Sequence, residues 1–122
     1  MKTIINKTIQ GVPYSRGKKR GYVQGVKEWR NQVRKQSRCW VKVTEECRAE
    51  IIFYLPKDKY PEDLPYGSDL DNLLKVFFDA LNETVFKNVA GKDSCIKELV
   101  AKKQRVSTRD KAGAKVTIKR LR

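Results

Sequence analysis

The chain contains no histidine among its 122 residues. This absence excludes Ser-His-Asp and Cys-His catalysis, metal sites built on imidazole, and nucleases that use histidine as the general base. Any catalysis must therefore use carboxylates, lysine, hydroxyl groups or a hard metal ion.

Cysteine is scarce, and the three residues present, Cys39, Cys47 and Cys95, are odd in number and lack C-x-x-C spacing. Short disulfide-framed proteins and zinc sites need even or closely spaced cysteines. The pattern predicts reduced, partly buried thiols in a cytosolic protein.

Long apolar runs are also missing, since no stretch approaches the ~20 apolar residues that cross a membrane. The segment Met1–Gly11 lacks the apolar run and cleavage site of a signal peptide. We therefore expect no membrane association and a cytoplasmic, nucleoid-associated location. The length predicts one domain over residues 1–122.

Positive charge is abundant, with a formal net charge of +14. It is concentrated at the two ends: residues 1–40 carry +10 and residues 101–122 carry +8, whereas residues 41–67 and 68–100 each carry −2. Basic ends around an acidic middle suit a phosphate-binding surface next to a metal site. Charge alone also fits a basic ribosomal or membrane-surface protein.

The segment Ser68–Glu83 has the periodicity of an amphipathic helix. Ser68 is a natural N-cap, with Asp71 three residues later. The apolar side consists of Leu70, Leu73, Leu74, Phe77 and Leu81, with Phe78 at its edge. The opposite side consists of Asp71, Lys75, Asp79 and Asn82, with Asn72 on its flank.

The acids at this helix start have an ordinary explanation, because carboxylates in a first turn complement the helix dipole. Two observations favour a cation site instead. Lys75 and Asp79 continue the same side, and the acids are kept together in a basic chain that would bind phosphate.

The sequence from Asp69 to Asn82, DLDNLLKVFFDALN, resembles the signature of RusA-family Holliday junction resolvases. A later acid of that pattern is matched by Asp93 in GKDSCIKEL, although Lys92 stands where the family has a second acid. The resemblance implies Mg²⁺-dependent cutting of four-way DNA junctions by a homodimer. It also implies that Asp69, Asp71 and Asp93 are catalytic metal ligands and that Lys75 is the catalytic lysine.

Two further segments are candidates for DNA contact. A glycine-containing loop over residues 11–25 interleaves cations with tyrosines, and such loops track phosphates and stack on bases. A helix over Gln24–Arg38 places cations opposite its apolar stripe. A solvated loop and a helix face charged for solubility are the plain alternatives. The predicted DNA-binding residues are Arg16, Lys18, Lys19, Arg20, Lys27, Arg34 and Arg38.

Alternating and periodic segments predict the order β-α-β-α-β-β. The predicted strands are Lys2–Gln10, Val41–Leu55, Cys95–Val106 and Ala114–Leu121. This order predicts an α+β domain, with two helices packed on a mixed β-sheet, as the RusA resemblance implies.

The leading interpretation is a structure-selective endodeoxyribonuclease that resolves Holliday junctions in DNA recombination and repair. The alternative is a non-catalytic basic nucleic-acid-binding module whose acids only cap a helix. Magnesium-dependent nicking of a junction distinguishes them.

Overall fold

The computed structural model describes residues 1–14, 23–56 and 69–121, without the side chains of Val23 and Gln24. The predicted order β-α-β-α-β-β is confirmed, and with it the α+β class. Short 3₁₀ turns, Lys92–Cys95 and Arg109–Lys111, precede the last two strands. The elements are β1 (Thr3–Gln10), α1 (Val23–Ser37), β2 (Cys47–Pro56), α2 (Leu70–Leu81), β3 (Ile96–Val106) and β4 (Gly113–Arg120).

The four strands form one mixed sheet in the order β1-β4-β2-β3. β4 is antiparallel to both β1 and β2, whereas β2 and β3 are parallel. Parallel neighbours need a crossover, and α2 provides it. α2 therefore runs opposite to β2 and β3, so it begins at their carboxyl end and finishes at their amino end. A hydrogen bond of 2.9 Å from the Val43 N–H to the Val85 carbonyl joins the chain before β2 to the turn after α2, as this direction requires.

The core lies between the sheet and the two helices, and Phe77 of α2 stands at its centre. The Phe77 ring stacks on Trp29 of α1 at 6.1 Å and meets Phe53 of β2 edge-on at 5.5 Å. All three side chains are buried. Such ring pairs add about 0.5–1.5 kcal/mol each beyond the burial of apolar area. Both helices are thus fixed to the same face of the sheet.

The predicted start of β2 at Val41 is wrong, because the strand begins at Cys47. Val41, where the predicted strand begins, is 63% exposed. Val43 is buried, but its N–H bonds to the turn after α2 rather than to a neighbouring strand. The apolar alternation at residues 41–45 reflects docking onto that turn, which sequence periodicity cannot distinguish from strand pairing.

The predicted N-cap at Ser68 is also wrong. The Leu73 N–H donates to the Asp69 carbonyl at 3.0 Å, which places Asp69 at the N-cap with extended backbone angles. Ser68 itself lies outside the described residues. The buried side of α2 is wider than predicted and includes Val76 and Ala80, because both α1 and the sheet pack against this helix.

The remaining boundaries agree with the sequence prediction to within one residue for α1, β1, β3 and β4. Asn88 and Gly91 lie in the turn region between α2 and β3. Within the part of the chain that the structure describes, no helix combines the length and apolar character needed to span a bilayer.

Candidate active site

The first part of the candidate site is the start of α2, where Asp69 and Asp71 are both exposed. Asn72 contacts the two carboxylates. Its backbone N–H donates to Asp71 Oδ1 at 3.0 Å, and its side-chain Nδ2 makes a long contact of 3.5 Å with Asp69 Oδ2. The remaining carboxylate oxygens face solvent, so the structure brings these two predicted residues together at one helix end.

Lys75 and Asp79 continue this site along the solvent side of α2, where both are exposed as predicted. Lys75 lies one turn after Asp71, a spacing that brings side chains to within about 5–6 Å at Cβ. Among the described residues Lys75 has no ion-pair partner. Its ammonium group is therefore available to a phosphate next to the two carboxylates.

Asp93 lies at the other end of α2, in the 3₁₀ turn Lys92–Cys95. Its backbone N–H donates to Oδ1 of Asn82 at 3.1 Å, and its side chain is half-buried. Gly91 precedes it with φ +75°, and a Cβ there would come within 2.1 Å of Ser94 Oγ. Ser94 Oγ instead donates to the Gly91 carbonyl at 2.7 Å. The left-handed backbone of this turn therefore favours glycine at position 91.

The length of α2 separates the two parts of the site. Its 12 residues extend about 18 Å at 1.5 Å per residue, with Asp69 and Asp71 at the start and Asp93 beside the end. Across residues 1–14, 23–56 and 69–121, no three Asp, Glu or Cys side chains form a group able to hold a metal ion. Within one chain, Asp69 and Asp71 thus lie together, whereas Asp93 lies apart from them beside the other end of α2.

The acids near the amino ends of β2 and β3 differ from the predicted site acids, because they are paired with cations. Arg48 contacts Glu98 at 2.8 Å and Glu50 at 3.2 Å, and Lys119 reaches Glu50 at 3.3 Å. Hydrogen bonds from Arg48 and then Lys119 lower the pKa of Glu50 from its ordinary 4.5. Asp69, Asp71 and Asp93 have no cationic partner among the described residues. Among the described residues, the unpaired acids on and beside α2 are therefore the three predicted site acids and Asp79.

The predicted DNA-binding residues on α1 differ in whether they are exposed and in whether they have an ion-pair partner. Lys27 and Arg38 are exposed. Arg34 contacts Glu83 at 2.6 Å through Nη2, which links α1 to the end of α2. Arg34 therefore has a structural partner already. The loop residues Arg16, Lys18, Lys19 and Arg20 lie outside the described residues.

Tyr14, one of the tyrosines of the loop predicted to contact DNA, is half-buried and packs against the core. Its ring lies over Gly25 of α1, where an added Cβ would come within 2.6 Å of Tyr14 Cε1. This tyrosine fixes the chain after β1 to α1, because its ring packs on that helix.

Sequence reasoning placed Asn82 on the polar side of α2 but gave it no role. The structure shows that Asn82 holds the backbone of Asp93. An asparagine at the end of a helix, followed by a turn containing glycine, is the signal that could have indicated this role.

Exposed carboxylates and a lysine on one helix side, in a chain of large positive charge, are the chemistry of an enzyme that hydrolyses phosphodiester bonds. The model of one protein family, described as endodeoxyribonuclease RusA, matches residues 7–119. The chain therefore belongs to the RusA endodeoxyribonuclease family of Holliday junction resolvases. The matched range contains Asp69, Asp71, Lys75 and Asp93. A search of curated proteins found no significant match.

Proposed function

We propose that this endonuclease resolves four-way DNA junctions using Mg²⁺ held by Asp69 and Asp71. The observation that carries the proposal is the pair of exposed carboxylates joined through Asn72, without a cationic partner among the described residues. Mg²⁺ takes oxygen ligands, with one or two protein carboxylates and the remaining positions filled by water and phosphate. The chemistry of this donor pair fits that ion.

When bound, Mg²⁺ would supply an activated water and would stabilise negative charge on the phosphate that is cut. Lys75 stands one turn beyond Asp71, at the position from which its ammonium group can stabilise the same developing charge. Asn72 orients the two carboxylates through its backbone and side-chain amide groups. Asp79 lies two turns from Asp71, and we assign it no contact with the reacting phosphate.

We further propose that the active form is a homodimer in which each site is shared between two copies. The support is the length of α2, which leaves Asp93 away from Asp69 and Asp71 of its own chain. A second copy related by a two-fold axis could place its equivalent carboxylate beside the start of α2. Two such sites would also suit paired cuts in a junction with two-fold symmetry.

Mixing two inactive variants tests the shared site. Asp71→Asn and Asp93→Asn proteins should each be unable to cut a labelled four-way junction in Mg²⁺. In a shared site, the mixed dimer contains one site with every carboxylate intact, so exchange of subunits should restore nicking of one strand. A site contained within one chain would stay inactive in the mixture, and this result would contradict the dimer proposal.

Sedimentation supplies the control for that mixture, since both variants must associate as the wild type does. We expect about twice the chain mass of 14.2 kDa at micromolar concentration. We place the protein with its DNA substrate, in the nucleoid of the cytoplasm, in recombination and repair. The non-catalytic alternative predicts junction binding with no metal-dependent nicking by the wild type.

A further inference from the structure

One face of the sheet carries neither α1 nor α2. Residues of β2 alternate between the two faces, and the odd positions from Cys47 to Leu55 are buried against the helices. The even positions are only half-buried, and no helix of the described residues packs on them. We call this side the open face; its β2 residues are Arg48, Glu50, Ile52 and Tyr54.

Two lysines stand in one row across the open face. Ile52 of β2 pairs in register with Lys102 of β3 on one side and Lys115 of β4 on the other. Both lysines are exposed, and neither has an ion-pair partner within the described part of the chain. Neighbouring strands lie about 4.8 Å apart, so the two Cα atoms are separated by about 10 Å.

Polar and aromatic side chains continue the patch in two directions, along β2 toward its carboxyl end and sideways onto β1. Tyr54 pairs with Gln104, and Thr8 of β1 pairs with Lys115. These residues are half-buried or exposed. We define the Lys102–Lys115 patch as Lys102, Lys115, Ile52, Tyr54, Gln104 and Thr8.

The other end of the open face differs in its charge balance. There Arg48 and Lys119 are paired with Glu50, and Arg48 also contacts Glu98. The amino end of β2 is thus largely neutralised, whereas at the middle of β2 Lys102 and Lys115 have no ion-pair partner among the described residues. The patch extends from the middle of β2 to Tyr54 near the carboxyl end of the strand, the end at which α2 begins. It lies on the face of the sheet opposite to Asp69 and Asp71.

We propose that the Lys102–Lys115 patch binds the phosphate backbone of a junction arm other than the arm being cut. A separation of about 10 Å between the lysine backbones lies between the minor and major groove widths of about 6 and 12 Å, so the two ammonium groups can contact phosphates across a groove. The proposal rests on the proposed function, because it needs a branched DNA substrate.

The position of the patch explains why a second arm is needed. The start of α2 and the patch face opposite directions across the sheet, and packed layers stand about 10 Å apart. A straight duplex held at Asp69 and Asp71 would run along the helix side of the sheet, away from the open face. A branch point at the carboxyl end of the strands can direct one arm to each side. The contact would therefore favour junctions over linear DNA.

Charge complementarity selects DNA as the occupant. A second copy docked through the same patch would bring four unpaired lysines together, which like-charge repulsion opposes. A phosphate backbone instead releases counterions when lysines neutralise it.

The test uses the double variant Lys102→Gln/Lys115→Gln and a control with the same change in charge, Lys97→Gln/Lys119→Gln. The control lysines are already paired, with Glu46 at 3.6 Å and Glu50 at 3.3 Å respectively. Binding without metal is measured across a range of salt, with a four-way junction and with a linear duplex of the same sequence. Melting temperature establishes that both variants are folded.

We expect the patch variant to reduce the salt dependence of junction binding by about 1.8 in the slope of log affinity against log salt, at about 0.9 per lost phosphate contact. The ratio of junction to duplex affinity should fall, and the control should keep both values. Equal losses on junction and duplex would overturn the assignment to a separate arm. An unchanged slope, or the same loss in the control, would show that the patch does not contact DNA.

Cutting at saturating protein separates this inference from the proposed function. The patch variant should need more protein than the wild type to reach its full cutting rate in Mg²⁺, because the lost phosphate contacts weaken junction binding. A rate reduced without weaker binding would contradict the patch. Failure of the wild type to cut would instead count against the proposed function. The binding measurements without metal would still show whether the patch contacts a junction arm.

Discussion

Oδ1 of Asn82 accepts a hydrogen bond of 3.1 Å from the backbone N–H of Asp93. This contact joins the end of α2 to the 3₁₀ turn that contains Asp93, the third of the predicted metal ligands, 11 residues later. It fixes the position of Asp93 relative to α2 through the backbone, and the carboxylate has no ion-pair partner among the described residues.

Replacing Asn82 by alanine should remove this restraint. We expect a loss of about 0.5–1.5 kcal/mol in the free energy of unfolding, the usual net value of one hydrogen bond, and a larger loss of cutting rate because Asp93 is misplaced. Asn82→Asp keeps an acceptor oxygen and should retain more activity. Chemical denaturation and junction cutting on the same proteins check this.

Asn88→Ala is the control, since Asn88 is an exposed asparagine of the same turn region. It should leave both stability and cutting close to wild type. Normal cutting by a folded Asn82→Ala protein would show that the Asn82 contact does not position Asp93.

The polar side of α2 was predictable because helical periodicity fixes which residues share a side: Lys75 and Asp79 are exposed and Phe77 is buried, as predicted. The contact between Asn82 and Asp93 was not predictable, because it depends on how the turn folds back. Likewise, the start of β2 depends on which partner Val43 meets, and local alternation contains no information about that partner.

The common row of Lys102 and Lys115 could not be predicted from the sequence either. Each lysine belongs to a predicted strand, but their common row depends on the pairing of β2 with both β3 and β4. Strand order is a long-range property, so only the fold reveals that these charges share one face with Ile52 between them.

Acid should weaken the ion pairs of the open face. Arg48 and Lys119 lower the pKa of Glu50, so its contribution to stability is present above the ordinary value of 4.5 and is lost as the pH falls through the lower pKa of the folded state. The stability difference between wild type and Glu50→Gln should therefore decrease as the pH falls below about 4.5. Denaturation curves from pH 7 to pH 3 measure it. A difference that stays constant over this range would show that the ionised form of Glu50 adds no stability.

Thiol labelling should distinguish Cys39 from Cys47. Cys39 is exposed, whereas burial, followed by the neighbouring Cys95, raises the pKa of the Cys47 thiol to about 12. Because the thiolate is the reactive form, Cys39 should react rapidly with a disulfide reagent at pH 8 and Cys47 only on unfolding. Cys39→Ser should lose the rapid phase. A rapid phase that persists in this variant would contradict the burial of the other thiols.

The central claim is that the start of α2 holds the catalytic metal, and Asp71→Asn tests it most directly. Asparagine keeps the size of the side chain and suits a first helical turn, where the dipole contact is worth only about 0.3–1 kcal/mol. The variant should melt close to wild type and bind junctions without metal at least as tightly, since one negative charge facing phosphate is gone.

The decisive measurement is Mg²⁺-dependent cutting of a four-way junction by Asp71→Asn and by the matched control Asp79→Asn, which changes an exposed acid two turns away on the same helix side. We predict that Asp71→Asn nearly abolishes cutting while Asp79→Asn retains most of it. Wild-type cutting by a well-folded Asp71→Asn protein would contradict the metal site at the start of α2.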